Sequence, residues 1–258
     1  MIPEAVRLLA EDPVASQPPP PPPLEQILTD RYCLLLGPVP SFTSVGRLRL
    51  QPGEVEETLA EIRAIVSERN HTEAKWWVGS SATPADLSAR LQELGLVPDR
   101  DPHATALALV EPPPGSELEA RKIETLTEFR QAMEIQHEAF DAPEHHREEW
   151  RRIEAESWAD EQAGRAPATF LVWRDGEPVA SAKAVFLHDG VLLIGGATLP
   201  KARGQGAYRA LVRARWDAAV AVGTPALVIH AGSMSRPIVE RLGFQPVAEI
   251  DILRDPDA

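Results

Sequence analysis

The sequence predicts an α/β (α+β) protein built as a tandem of two copies. Three observations predict it. Two proline clusters, Pro18–Pro23 and Pro112–Pro114, punctuate the 258-residue chain, and consecutive prolines hold an extended conformation without ladder hydrogen bonds, as linkers do. The segments they delimit match at an offset near 148 residues: Leu94-Gly95-Leu96-Val97-Pro98 falls on Leu242-Gly243-Phe244-Gln245-Pro246, Pro52 on Pro200, Val55–Arg69 on Arg203–Asp217, and Trp76-Trp77-Val78 on the β-rich Val228-Ile229-His230. In the second segment, strand-like runs bounded by glycine turns alternate with helical stretches.

Residues 1–23 read as an N-terminal extension and polyproline linker, 24–111 as a degenerate partial copy, 112–114 as a linker and 115–258 as the fuller copy. Tyr32–Leu36 is strand-like, and its Cys33, the chain's single cysteine, reads as a small buried hydrophobe. One cysteine excludes an intramolecular disulfide and a structural zinc site. In the second copy Ile123–Leu126 leads into a helix over Thr127–Phe140, with Phe129, Ala132, Met133, Gln136 and Phe140 on one stripe. Thr169–Trp173, Pro178–Leu187 and Val191–Leu199 are strands, joined by tight turns at Arg174-Asp175-Gly176-Glu177 and His188-Asp189-Gly190. A helix from about Gly206 to Val222 is stopped by Gly223 and Pro225, Ala226–Ala231 is a strand, Pro237–Leu242 a short helix closed by Gly243, and Val247–Leu253 a last strand.

Lys and Arg total 26 against 39 Asp and Glu, a net charge of −13, so a general attraction to nucleic acid or anionic membranes is not expected. No apolar run reaches the roughly 18 residues of a spanning helix, and Met1–Asp12 lacks a basic start followed by an apolar stretch; a cytoplasmic location is the expectation. Any anion site must be local. One window stands out: Lys201–Arg215 holds Lys201, Arg203, Arg209, Arg213 and Arg215 with no acid, whereas the matched Gly53–Ser67 holds Glu54, Glu56, Glu57 and Glu61 against Arg63. For Arg213 and Arg215 a solvated helix face is the simpler reading.

Within Leu199–Arg209 a strand ends, a glycine loop turns and a helix begins. Glycines let the backbone approach an anion, and the first helical amides, lacking internal partners, point at it. The loop is neither a Walker loop nor Gly-x-Gly-x-x-Gly. It resembles the pyrophosphate loop of the GNAT N-acetyltransferases, Arg/Gln-x-x-Gly-x-Gly/Ala at the start of a helix: Arg203 and Gly206 match, and Tyr208 stands where the pattern ends in Gly or Ala. Arg236–Phe244 is similar to the family's fourth helix and its exit, and Arg121–Phe129 to its first strand and helix start, so the resemblance covers roughly residues 115–256.

The resemblance implies a tandem GNAT-like fold, each copy a mixed, mostly antiparallel central sheet flanked by helices, and acetyl transfer from acetyl-CoA to a primary amine by direct attack in a ternary complex, with no metal. It places the main chain of Ala197, Thr198 and Leu199 on the pantetheine arm, the loop Arg203, Gly204, Gln205, Gly206, Ala207 and Tyr208 with neighbouring Arg209 on the pyrophosphate, and Gly195-Gly196 at a bulge. A backbone amide near Ala197 would polarise the acetyl carbonyl. The seats where the family often has a glutamate and a tyrosine hold Leu193 and Val239. That leaves Ser233, on the cofactor side, and Ser235 as hydroxyls near the sulfur, Ser235 doubling as a helix cap, and His137, Glu138 or Asp141–His146 as sources of a base, His137 doubling as a core-edge histidine. His230 is a weaker candidate, Glu144–Glu149 reads as a solvated charged run, and Trp150 and Trp158 are either core anchors or pocket walls. An acidic rim would favour a cationic acceptor. The rival expectation is a non-catalytic acyl-CoA sensor; monomer and homodimer both remain open.

Overall fold

The computed structural model describes residues 1–17, 19–20, 22 and 24–258, so Pro18, Pro21 and Pro23 of the expected proline linker lie outside the described residues. The chain falls into two units. The first comprises Pro3–Leu107, His230–Ile238 and Pro246–Ala258; the second comprises Met1–Ile2, Ala108–Ile229 and Val239–Gln245. In chain order the elements are α1 (Glu4–Glu11), β1 (Glu25–Leu28), β2 (Cys33–Leu36), β3 (Thr43–Gly46), α2 (Val55–Glu68), β4 (Ala74–Gly79), α3 (Leu87–Glu93), β5 (Val97–Leu109), β6 (Glu119–Lys122), α4 (Leu126–Ala139), α5 (Glu144–Arg152), α6 (Glu154–Gln162), β7 (Ala168–Arg174), β8 (Glu177–Leu187), β9 (Gly190–Thr198), α7 (Ala207–Ala221), β10 (Leu227–Gly232), α8 (Arg236–Arg241) and β11 (Gln245–Asp255), with a 3-10 turn at Pro200–Ala202.

The first unit's strands run in the order β1-β2-β3-β4-β11-β5. β1, β2 and β3 are antiparallel, and β3 and β4 parallel. β4 is antiparallel to β11, from Ala74 opposite Asp255 to Gly79 opposite Ile250. The final strand, expected in the second copy, therefore completes the first unit's sheet, and the division given by the linker at 112–114 is not the one the fold makes. The expected extension is also more than a tail. α1 buries Val6, Leu9 and Ala10, and Asp12 accepts from the amide of Arg47 (3.0 Å) and from Arg49 (2.8 Å). The unit's core gathers Tyr32, Leu34, Leu59, Ile62, Trp76 and Leu253.

In the second unit the order is β10-β9-β8-β7-β6, antiparallel from β6 to β9 and parallel between β9 and β10. The β7–β8 hairpin turns through Asp175-Gly176, both at positive φ (52° and 80°), a pair that glycine and aspartate tolerate. α4 begins with a capping box, the Thr125 side chain accepting from the Glu128 amide and Glu128 reaching back to Thr125 N–H. It packs Phe129, Ala132 and Ile135 against Leu171, Ala197 and Leu199. Trp158 joins this core, its ring 5.9 Å from that of Phe129.

The internal match holds with a shifted register. α2 begins at Val55 and α7 at Ala207, 152 residues apart rather than 148, so Val55, Thr58 and Leu59 correspond to Ala207, Ala210 and Leu211, all buried. The 148-residue offset holds only from Gly95 and Gly243 onward, because Ser80–Asp86 between β4 and α3 is four residues longer than Ser233–Ser235 between β10 and α8. A gapless comparison slides one helix by about a turn, which preserves its apolar stripe and hides the error.

Candidate active site

The site lies in the second unit, where β9 ends. β9 meets β10 only at Val191 with Leu227 and Leu192 with Val228; beyond Leu192 its main chain on that side has no strand partner among the described residues. On the other side Ala197 pairs with Ser181 and Ile194 with Lys183, so Gly195-Gly196 both stand opposite Ala182. That is a bulge, and Gly195 takes φ 60° in it. A side chain would be obstructed at both glycines: a Cβ on Gly195 would lie 3.1 Å from Oε1 of Gln136, and one on Gly196 would lie 2.8 Å from the Tyr208 ring.

After β9 the loop closes on itself. Leu199 N–H donates to Val179 O (3.0 Å), Arg203 Nε to Thr198 O (3.2 Å) and Gln205 Nε2 to Lys201 O (3.0 Å). Gly204 and Gly206 follow at φ 74° and 87°. Gly206 is the N-cap of α7, no side chain caps the helix, and its first turn holds no acid. The first amides of a 15-residue helix are thus left without side-chain acceptors. Lys201, Arg203, Gly204, Gln205 and Arg209 are exposed, and Ala207 is buried. Arg209 leans over the loop, its Nη2 3.3 Å from where a Cβ on Gly206 would be.

Tyr208, at the position departing from the family pattern, turns inward. Its ring lies on Gly196 and its hydroxyl beside the Arg215 guanidinium, and burial holds its phenol above the ordinary value. Arg215 corrects the sequence reading of a solvated face: it is 1% exposed, donates to Leu211 O (3.0 Å) and Lys183 O (3.2 Å), and leaves Nη2 without a partner among the described residues. Arg213 instead pairs with Asp217 (3.0 Å).

The remaining candidates separate. His137 ends α4 at 7% exposure, with neither ring nitrogen hydrogen-bonded. Burial lowers its pKa, and Arg147, Arg151 and Lys183 lower it further against Glu134. It lines a cleft of about 40 Å³ with Phe129, Met133 and Trp150, so Trp150 is a wall where Trp158 is core. Leu193 and Val239 are buried aliphatics. Ser233 and Ser235 fall in the first unit; Ser233 is exposed, and the Ser235 hydroxyl donates to Gly232 O (3.3 Å). His230, also there, donates to Ala10 O (2.7 Å) and lies tilted against Trp77 with ring centres 5.3 Å apart, a structural histidine. Glu144–Arg152 is a helix without buried residues, and among the described residues no three His, Cys, Asp or Glu groups are placed to hold a metal. Sequence reasoning missed Lys183, on β8. Its ammonium lies 5.4 Å from the Phe129 ring centre and 5.8 Å from that of Trp150. A lone lysine within an apolar alternating strand was the available signal.

The site is thus a bulged strand with an open edge that runs into an uncapped helix. Residues 129–244 match the acetyltransferase (GNAT) family, and the chain carries a domain of that superfamily in a tandem GNAT-like fold. Among solved structures, a GCN5-related N-acetyltransferase from Kribbella flavida is similar at TM-score 0.65 and 20% identity over 90% of each chain. One from Sphaerobacter thermophilus is similar at 0.60 and 17%, over 89% of this chain and 81% of that one. A tandem GNAT protein from the clavulanic acid biosynthesis pathway is similar at 0.59 and 16%, over 99% of this chain and 89% of that one. No curated protein matches the sequence. Among the described residues no helix is long and apolar enough to cross a membrane.

Proposed function

We propose that the second unit transfers an acetyl or other short acyl group from acyl-CoA to an amine. The observation that carries this reading is the uncapped N-terminus of α7, at left-handed Gly206, directly after a β9 edge left unpaired beyond Leu192. The amides of Arg203–Tyr208 would hold the pyrophosphate, with Arg203 and Arg209 adding charge, and the main chain of Ala197, Thr198 and Leu199 would pair with the pantetheine arm. Bound there, the coenzyme supplies a thioester. His137, kept neutral by burial, accepts the proton that the attacking amine loses as its nitrogen bonds to the acyl carbon. The amide near Ala197 stabilises the oxyanion, and the departing thiolate takes its proton from solvent.

Leu193 and Val239, buried aliphatics at the family's frequent glutamate and tyrosine seats, favour a second reading, an acyl-CoA sensor without turnover. The two part on one experiment. Calorimetry with acetyl-CoA, followed by thiol release against an amine panel, should show saturable binding and acceptor-dependent release. Binding without release under any acceptor leaves the sensor; absence of binding removes both.

A further inference from the structure

The cleft between α4 and the helices after it carries a charge imbalance. Its bordering acids have arginines: Glu154 pairs with Arg130, Glu144 with Arg151 at 2.7 Å, and Glu134 with Arg147 at 3.9 Å. The acidic rim suggested by the sequence is therefore neutralised locally. Lys183 is different. The Ser181 hydroxyl donates to Ala132 O (3.0 Å) and so faces α4. Lys183, two residues along β8, faces the same side, its ammonium over the rings of Phe129 and Trp150 that line the cleft. Among the described residues it has no carboxylate partner. Burial lowers its pKa and Glu161 opposes that, though the two oxygens of Glu161 already accept from the Thr169 amide and hydroxyl, each at 2.7 Å. The two rings attract the ammonium but supply no counter-charge, so a ligand carboxylate would complete its partners. Beside it, His137 offers two ring nitrogens with no partner.

We propose that this cleft takes the acceptor and that the acceptor is an amino acid-like molecule, its carboxylate on Lys183 and its amine toward His137. The inference rests on the acyl-transfer reading and narrows its substrate class from amines in general to amines bearing a carboxylate. The chemistry is unchanged: a nitrogen–carbon bond forms, the carbon–sulfur bond breaks, and the amine's proton leaves on His137.

The test measures thiol release from acetyl-CoA by the full chain with a set of L-amino acids, each against the amine lacking its carboxylate. Wild type should favour the acid of the best pair by roughly 30-fold in kcat/KM, the worth of one charged hydrogen bond. Lys183→Met, which replaces a charge by an apolar chain of similar length, should bring that ratio near one while calorimetric affinity for CoA is unchanged; Lys183→Arg should keep part of the preference. Equal or better turnover of the decarboxylated amines, or a preference that survives in Lys183→Met, overturns the acceptor assignment and leaves acyl transfer standing. Release with no member of the set, despite CoA binding, overturns the transfer reading and the assignment with it.

Discussion

α2 and α7 are the same helix built twice, with opposite ends. Their buried positions correspond, Val55 with Ala207, Thr58 with Ala210 and Leu59 with Leu211. Their N-termini do not. Where α7 has Gly206 at φ 87° and no acid in its first turn, α2 has Glu54 at φ −97° followed by Glu56 and Glu57, and the Glu54 carboxylate accepts from Gln51 N–H at 2.7 Å. One end offers its donors outward; the other surrounds them with its own carboxylates. A duplicated fold can keep its core, which needs only shape and apolarity, while a few polar substitutions decide which copy can receive an anion.

The largest expected effect breaks this contrast. Gly206→Glu places α2's residue on α7, forcing a side chain into a left-handed position and an acid onto the loop. CoA affinity measured by calorimetry should fall about 100-fold or more, while circular dichroism shows the fold retained. Retained affinity would move the binding site elsewhere. The reverse change, Glu54→Gly, should confer no affinity on α2, whose Glu56 and Glu57 remain.

Next comes a pair of arginines at matching positions, 63 and 215. Arg63 forks onto the buried Asp255 with bonds of 2.9 and 2.8 Å, whereas buried Arg215 donates to the main chain of Leu211 and Lys183 and, among the described residues, pairs with no carboxylate. Arg63→Met should cost roughly 3 kcal/mol by stranding a buried acid; Arg215→Met should lie within about 1 kcal/mol of wild type, or stabilise, since it removes a buried charge. Urea denaturation of each variant measures both, and equal losses would void the contrast.

Titration sharpens it further. Burial lowers the pKa of His137 in the second unit and of His230 in the first below the ordinary 6.5. The unfolded chain therefore takes up protons first, and stability should fall as pH drops below about 6.5 while changing little, on their account, above it. His137→Phe should flatten part of that fall. It should also suppress turnover, whose acid limb follows the same group. The smallest effect is at the cap of α4: Thr125→Ala should cost about 1 kcal/mol, read as a shift in melting temperature.

Legibility in the sequence followed the physics of each feature. β7, β8, β9, α4 and α7 lie within a residue or two of their expected bounds, because alternation over Pro178–Leu187 and the glycine stop at Gly223 are local signals; β6 lies at Glu119–Lys122 rather than in the expected entry at Ile123–Leu126, and α5 and α6 form where a charged run gave no apolar stripe to bound them. The loop was legible for the same reason. α1 was not: Val6, Leu9 and Ala10 have helical spacing, but eight residues are too short a stretch for such a stripe to identify a helix, and its anchoring depends on Arg49 and His230, far along the chain. Arg215 read as an ordinary surface charge because nothing local announces that it is enclosed, and Lys183 went unremarked, its place in an apolar strand being its one local signal. The assignment of β11 was also hidden: its alternation shows a strand, but a strand's partner is a property of the whole fold.

That last strand has a consequence for how the molecule comes into being. Residues 246–258, which the first unit needs in order to close its sheet against β4, leave the ribosome after nearly all of the second unit. The half that is synthesised first is finished last, and it waits with an unmatched edge while its neighbour is made. Cutting the chain at the proline linker would yield no self-sufficient unit, but one fragment lacking a strand and another carrying a stray one.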